Sequence, residues 1–252
     1  MPKAVQDFRV EGFNSCKQLL MIMKQELINK FLVAVVVVSS AFIFQSCLDD
    51  DDNDYNLLVP NALVTVRPEG ESFFLQLDDS TKLKPSNITA SPYGKKQVRA
   101  LANLTLSSTK ADDYKPVVVN WMDSILTKKP VVTQGVEKDK ELYGEDPIDI
   151  MNDWMTVCED GYMTIHFAAY WGNTNVKHVV NLVSGTNPDN PYELVFRHDS
   201  KKDEKYVYRD GIVAFDLSGL PDTEGKKVKL KISWKSLQGD KTVEFSYCTR
   251  KD

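Results

Sequence analysis

Val228-Lys229-Leu230-Lys231-Ile232-Ser233-Trp234 is the stretch that decides the fold. Apolar and polar residues alternate, so Val228, Leu230, Ile232 and Trp234 share one face and Lys227, Lys229, Lys231 and Ser233 the other. A helix would scatter those four apolar side chains around its axis; a half-buried strand gathers them. The next segment, Thr242–Tyr247, repeats the pattern with Val243, Phe245 and Tyr247 on the core side. Working backwards, further strand candidates are Trp154–Cys158, Tyr162–Tyr170, Val176–Val183, Tyr192–Arg197 and Tyr206–Phe215. The turns between them include Glu159-Asp160-Gly161, Gly185-Thr186-Asn187-Pro188 and Gln238-Gly239-Asp240. About seven short strands in about 100 residues is the number expected of an immunoglobulin-like β-sandwich.

The preceding stretch is also β-rich. Ala62–Val66 alternates and breaks at Pro68-Glu69-Gly70; Phe73, Leu75 and Leu77 line one face of the next strand; Asp78-Asp79-Ser80 turns again. Val98–Ser107 and Val117–Trp121 read as longer strands, and only Asn120–Leu126 suits a helical turn. Five or so short strands in about 80 residues fit a small closed barrel. Residues 137–147 are charged, lack apolar periodicity and lie between Gly135 and Ile148, so they read as a linker. The expectation is therefore an all-β chain: a small OB-like barrel over 61–136, then a sandwich over 148–252.

The N-terminus has a different character. Lys24 and Lys30 precede a 14-residue run, Phe31–Phe44, dominated by apolar side chains. That is too short to span a bilayer as a mature helix, which needs ~20 residues, but suits the h-region of a secretory signal. It ends in Phe44-Gln45-Ser46-Cys47, which resembles the lipobox of bacterial lipoproteins, with Phe44 and Gln45 departing from the usual aliphatic-then-small pair. Residues 1–46 are expected to be a signal peptide, with Met23 a better start than Met1, and Cys47 the lipidated residue. Two or three acyl chains anchor stably because each buried CH2 contributes ~0.8 kcal/mol. The competing reading is a buried core helix with an incidental cysteine. Asp49-Asp50-Asp51-Asp52, followed by Asn53 and Asp54, resembles the acidic surface-export signal behind the lipidated cysteine of Bacteroidetes lipoproteins. A calcium loop is excluded, because the position that needs Gly is Asp54 and the bidentate Glu position is Pro60. Residues 47–60 then form a lipidated acidic tether.

The 252-residue chain has 31 basic and 36 acidic residues; removing 1–46, with five basic and three acidic, leaves 206 residues with a formal charge of −7. Such a balance argues against nucleic acid, which calls for basic patches.

Several further segments run along the mature chain: Cys47–Asp52, Phe73–Asp79, Asp123–Lys128, Asp146-Pro147-Ile148, Phe196–Asp199, Ala214–Leu217 and Lys241–Tyr247. With the order lipobox, acidic run, small all-β domain and sandwich, they resemble the NigD-like lipoproteins of Bacteroidetes. The resemblance implies an N-terminal OB-like domain and a C-terminal β-sandwich. The family takes its name from a bacteriocin-associated gene cluster, so immunity enters as a suggestion.

Catalytic signatures are missing: there is no Gly-x-Ser-x-Gly, His-Glu-x-x-His, phosphate loop or Cys-x-x-Cys. No cofactor and no catalytic residue is expected. Pairing Val183 with Glu193 would set His178 opposite His198, a cross-strand pair that could hold a metal beside Asp199 or simply sit on the sheet. Tyr162, Tyr170, Trp171, Tyr192, Tyr206 and Tyr208 either line a carbohydrate-binding face or pack. Asp79-Ser80-Thr81 and Asp123-Ser124-Ile125 resemble Bacteroidetes O-glycosylation triplets, making Ser80 and Ser124 acceptor candidates. Cys158 and Cys248, in an oxidising compartment, are a candidate disulfide, opposed by the alternation that turns Cys248 away from the core side. The functional expectation is a non-enzymatic outer-membrane lipoprotein facing the cell exterior, held by its lipid and contacting an unknown protein or glycan. A hydrolytic or metal-dependent enzyme is the alternative.

Overall fold

The computed structural model describes residues 7–8, 57–107, 114–173, 175–203 and 205–251. Cys47 and Asp49–Asp52 lie outside them. Among the described residues no helix is long and apolar enough to cross a membrane.

Five strands close the barrel: β2 (Ala62–Glu69), β3 (Ser72–Gln76), β4 (Lys82–Pro85), β5 (Val98–Leu106) and β6 (Lys115–Ser124). The order around it is β2-β3-β4-β6-β5, with β4 and β6 parallel and the other pairs antiparallel. Closure removes the sheet edges. Val64, Val66, Phe73, Leu75, Ala100, Ala102 and Val117 fill the interior. Asn120–Leu126 is extended rather than helical. A bulge between β5 and β6 sets Asn103 opposite Trp121 and Leu104 opposite Val119, leaving Asn120 as the extra residue. Its side-chain amide donates to Asn103 (2.6 Å) and Thr105 (2.9 Å), bonds that replace the missing ladder contact.

The sandwich begins earlier than the charged stretch suggests. β7 (Leu126–Lys128) runs parallel to β14 (Val207–Asp216), and β8 (Val131–Val132) runs parallel to β12 (Val179–Ser184). Residues 137–147 are not a linker either: Val136–Tyr143 form the helix α1. Its exposed charges hide it from a periodicity search, but Asp139 is buried and accepts from Gln134 N (2.7 Å) and Thr133 Oγ1 (2.5 Å), tying the helix to β8. Ile148 beyond it is already core.

One sheet has the order β1 (Asp7–Phe8), β16 (Gly239–Tyr247), β15 (Val228–Ser236), β13 (Glu193–Asp199), β12, β8. The other has β10 (Val157–Glu159), β11 (Tyr162–Trp171), β14, β7, with β9 (Asp149–Ile150) also on β11. Leu230, Ile232 and Trp234 face inward as their alternation requires, meeting Ile165, Phe167, Val213 and Phe215 of the facing sheet. The β10–β11 turn is Asp160-Gly161, both at positive φ (50° and 74°), the two-residue hairpin geometry for which Asp-Gly is suited.

The same turn joins the domains. Arg67 pairs with Asp160; Arg99, fully buried, pairs with Glu159 at 2.7 Å and donates to Thr65 at 3.1 Å. Asp79 accepts from the Asp160 N–H at 2.8 Å. Leu63, Ile125, Tyr162 and Ala214 form an apolar cluster beside these pairs. Burial pushes the Glu159 carboxyl up to about 7 against the pull of Arg99.

Candidate functional site

The outer face of β11 and β14 carries the candidate site. In β11, Met163, Ile165, Phe167 and Ala169 enter the core, so Tyr162, Thr164, His166, Ala168 and Tyr170 take the outer face. The barrel covers the Tyr162 end of that face. The other end is open. There Tyr170 sits opposite Tyr208 with ring centroids 5.2 Å apart, and Tyr206 is 82% exposed.

Carboxylates border these rings. Tyr208 donates to Asp149 at 3.0 Å, and burial followed by that hydrogen bond pushes its phenol up to about 12. Four residues back along β11, His166 donates from Nδ1 to Asp153 (2.6 Å) and from Nε2 to Asp210 (3.1 Å). Burial disfavours the imidazolium, but the two carboxylate hydrogen bonds outweigh it and raise the pKa above the ordinary value. Asp210 is held low, first by its hydrogen bond with His166. With both ring nitrogens engaged, His166 is arranged as a clasp between segments rather than as a base for a nucleophile. Asp153, His166 and Asp210 come from three separate segments, so no sequence spacing announces them.

The predicted His178–His198 pair does meet, by a different register. Val180, not His178, pairs with His198 across β12 and β13; the slip is two residues, which keeps both imidazoles on the same side. His178 Nδ1 donates to His198 Nε2 at 2.9 Å and His178 Nε2 to Asp203 at 3.1 Å, while His198 Nδ1 faces the Pro147 carbonyl at 3.3 Å. Trp171 stacks on His178 with centroids 3.7 Å apart. Burial and the neighbouring His178 lower the His198 pKa, so His198 is the neutral acceptor. The two imidazoles are hydrogen-bonded to each other, and Asp203 rather than Asp199 is the carboxylate partner. Among the described residues no group of three or more His, Cys, Asp or Glu is placed to hold a metal.

Of the six predicted aromatics, Tyr170, Tyr206 and Tyr208 gather at the open end. Tyr162 is buried at the domain junction, while Trp171 and Tyr192 pack against the core. Cys158 and Cys248 are free. Cys158 packs against the core, and Cys248, just past the end of β16, has its sulfur 3.6 Å from Thr223 Oγ1. Ser80 is exposed in its turn and donates to Asp78 at 3.1 Å; Ser124 is exposed at the end of β6.

Residues 63–125 match the model of the NigD-like N-terminal OB domain, and residues 130–247 that of the NigD-like C-terminal β-sandwich domain. A protein described as toxin related, from Parabacteroides distasonis, is 36% identical with a TM-score of 0.62, over 75% of this chain and 92% of that one. A NigD-like immunity protein from Bacteroides caccae is 20% identical with a TM-score of 0.54, over 74% and 96%. A protein described as a lipoprotein, from Bacteroides fragilis, is 14% identical with a TM-score of 0.56, over 75% and 98%. The latter two likenesses are of fold. No curated protein sequence matches the chain.

Proposed function

The chain belongs to the NigD-like family, and from that premise we propose that it acts without catalysis, as a lipid-anchored binding module of the outer membrane facing the cell exterior. The observation that carries this reading is the open end of the β11–β14 face. Tyr170, Tyr206 and Tyr208 offer ring faces for apolar contact, and Asp149 and Asp210 offer acceptors for hydroxyl or amide donors. Aromatic anchors ringed by polar groups are how protein and glycan ligands are held without chemistry. The ion pairs at the domain junction support it further, because they hold barrel and sandwich together as a platform behind the face.

The lipid at Cys47 and the Asp49–Asp52 run supply anchoring and export, and Ser80 is the accessible candidate for glycan attachment. The names of the toxin-related and immunity relatives make a toxin-class protein one ligand to test, with cell-surface glycans the other. Two experiments examine the reading. Metabolic labelling with an alkyne fatty acid should mark the protein and not Cys47→Ala; label retained on the variant sinks the anchor. Affinity capture from intact cells with the native lipidated protein should recover a ligand that Tyr170→Ala/Tyr208→Ala does not. Equal recovery by both proteins removes the face from the proposal.

A further inference from the structure

The chain enters the barrel through an apolar triplet that faces outward. Leu57, Leu58 and Val59 lead into β2 and are 41%, 72% and 59% exposed. Single exposed apolar side chains are ordinary on a protein surface, whereas a run of three is not. The run is also held in place. The Trp121 indole N–H donates to the Leu57 carbonyl at 2.6 Å, and the Asn103 side-chain amide donates to the Val59 carbonyl at 2.6 Å. Asn61 bonds Leu104 in both directions, its amide donating to the carbonyl (2.9 Å) and its side-chain oxygen accepting from the N–H (2.8 Å). The bonds to Leu57 and Val59 all go to main chain, so the fold fixes where the triplet sits without covering its side chains.

The surroundings and the chain length point to one kind of surface. Asn61, Asn103, Asn120 and Trp121, the hydrogen-bonded side chains beside the triplet, carry no charge. Leu106, 50% exposed, ends β5 two residues past Leu104 and adds an apolar side chain at the same end of the barrel. Apolar side chains beside a tryptophan and neutral amides suit the layer between lipid headgroups and acyl chains, where an indole is favoured and no charge has to be desolvated. Leu57 lies ten residues after Cys47, the expected lipidated residue, a span of at most ~35 Å. A link that short keeps the triplet near the bilayer at an effective concentration in the millimolar range, so even a weak contact is occupied.

We propose that Leu57, Leu58 and Val59, bordered by Trp121 and Leu106, seat the barrel on the lipid bilayer that holds the acyl anchor. The barrel then lies between the membrane and the sandwich. On β5, Arg99 at the domain junction precedes Asn103 at the triplet by four residues. On β11 the barrel covers Tyr162, whereas Tyr170 is eight residues further along, ~26 Å at the rise of a strand. Seating the barrel therefore turns the open tyrosine end away from the lipid. The inference deepens the proposed anchoring and rests on lipidation at Cys47.

The test uses the processed protein reconstituted in phosphatidylcholine vesicles, with its intact mass first checked for acyl chains. Leu58→Cys, and Tyr206→Cys as a distant reference, are labelled with an environment-sensitive fluorophore in a Cys158→Ala/Cys248→Ala background. Vesicles with dibrominated acyl chains should quench the label at position 58 about twofold or more and leave the label at 206 unchanged. Leu57→Ser/Val59→Ser should remove most of that quenching. Without any label, the same vesicles should quench part of the native tryptophan emission, and Trp121→Phe should abolish that part. A mass without acyl chains overturns both the anchor and the seating. Acylated protein in which neither the label at 58 nor Trp121 is quenched overturns the seating alone. Equal quenching at 58 and 206 also overturns it, because the molecule would then lie along the bilayer. So does a blue-shifted label at 58 that bromine leaves bright, which would mark a second copy as the cover.

Discussion

Replacing Arg99 with Met should destabilise the protein by an amount that grows with pH. Arg99 is fully buried and Glu159 nearly so, at 2.7 Å, and removing one partner of such a pair typically costs about 3–5 kcal/mol. Here the residue left behind is a carboxyl that burial already pushes up to about 7. Its folded pKa exceeds its unfolded value, so its contribution to stability is full below about 4.5 and is lost as pH rises through 7. Without Arg99 the folded pKa climbs further, and the loss continues above pH 7 at up to ~1.4 kcal/mol per pH unit. Arg99→Met should therefore cost about 3–5 kcal/mol at pH 8 and about 1–1.5 kcal/mol less than that at pH 6. Arg99→Met/Glu159→Leu, which removes both charges, should return close to wild type and lose this dependence. Urea unfolding of all three proteins at pH 6, 7 and 8 reads the differences directly. A cost below about 1 kcal/mol at pH 8, or one that does not vary with pH, would refute the reasoning, because the pair would then behave as a hydrated surface contact.

Other perturbations have equally definite outcomes. His166 has a raised folded pKa, so the stability it adds is full below its unfolded value of about 6.5 and is lost as pH rises through the higher folded value; His166→Gln should lower Tm at pH 6 and change it little at pH 9, as calorimetry would show. Gly144 sits at φ 81°, and a Cβ there would lie 2.6 Å from the Asp199 Cα and closer still to the His198 carbonyl. Gly144→Ala should cost about 2–4 kcal/mol in urea unfolding and shift the His198 ring resonances, because strain and a backbone clash add. Phe196→Ala, which opens the centre of the sandwich, should cost about 3–5 kcal/mol by the same measurement. Thiol titration of the denatured, unreduced mature protein should find both Cys158 and Cys248 free, and a count of zero would contradict their unpaired state.

Local pattern was enough for the strands that alternate. Val228–Trp234 and Thr242–Tyr247 are half-buried, so each residue's polarity reports which side it faces, and both the fold class and the core of this sheet follow from that. Short or two-sided elements carry no such record. β7 and β8 are three and two residues long, too short for a period to show. The helix Val136–Tyr143 presents charge to solvent nearly all round and is placed by one buried aspartate, so composition reads it as linker. The site depended still more on tertiary structure. His178 and His198 were foreseen as neighbours because one hairpin joins them, yet their acid partner, Asp203, lies in the loop beyond it. Asp153, His166 and Asp210 meet only because β11 pairs with β14 and the segment before β10 folds over their outer face. The exposed Tyr170, Tyr206 and Tyr208 look the same in sequence as Tyr162 and Tyr192, and the difference lies in tertiary contacts: the barrel covers Tyr162 and the sandwich core takes Tyr192. Periodicity encodes which side of a strand is wet. It does not encode what a neighbouring domain will later cover, and that is set by contacts between residues far apart in the chain.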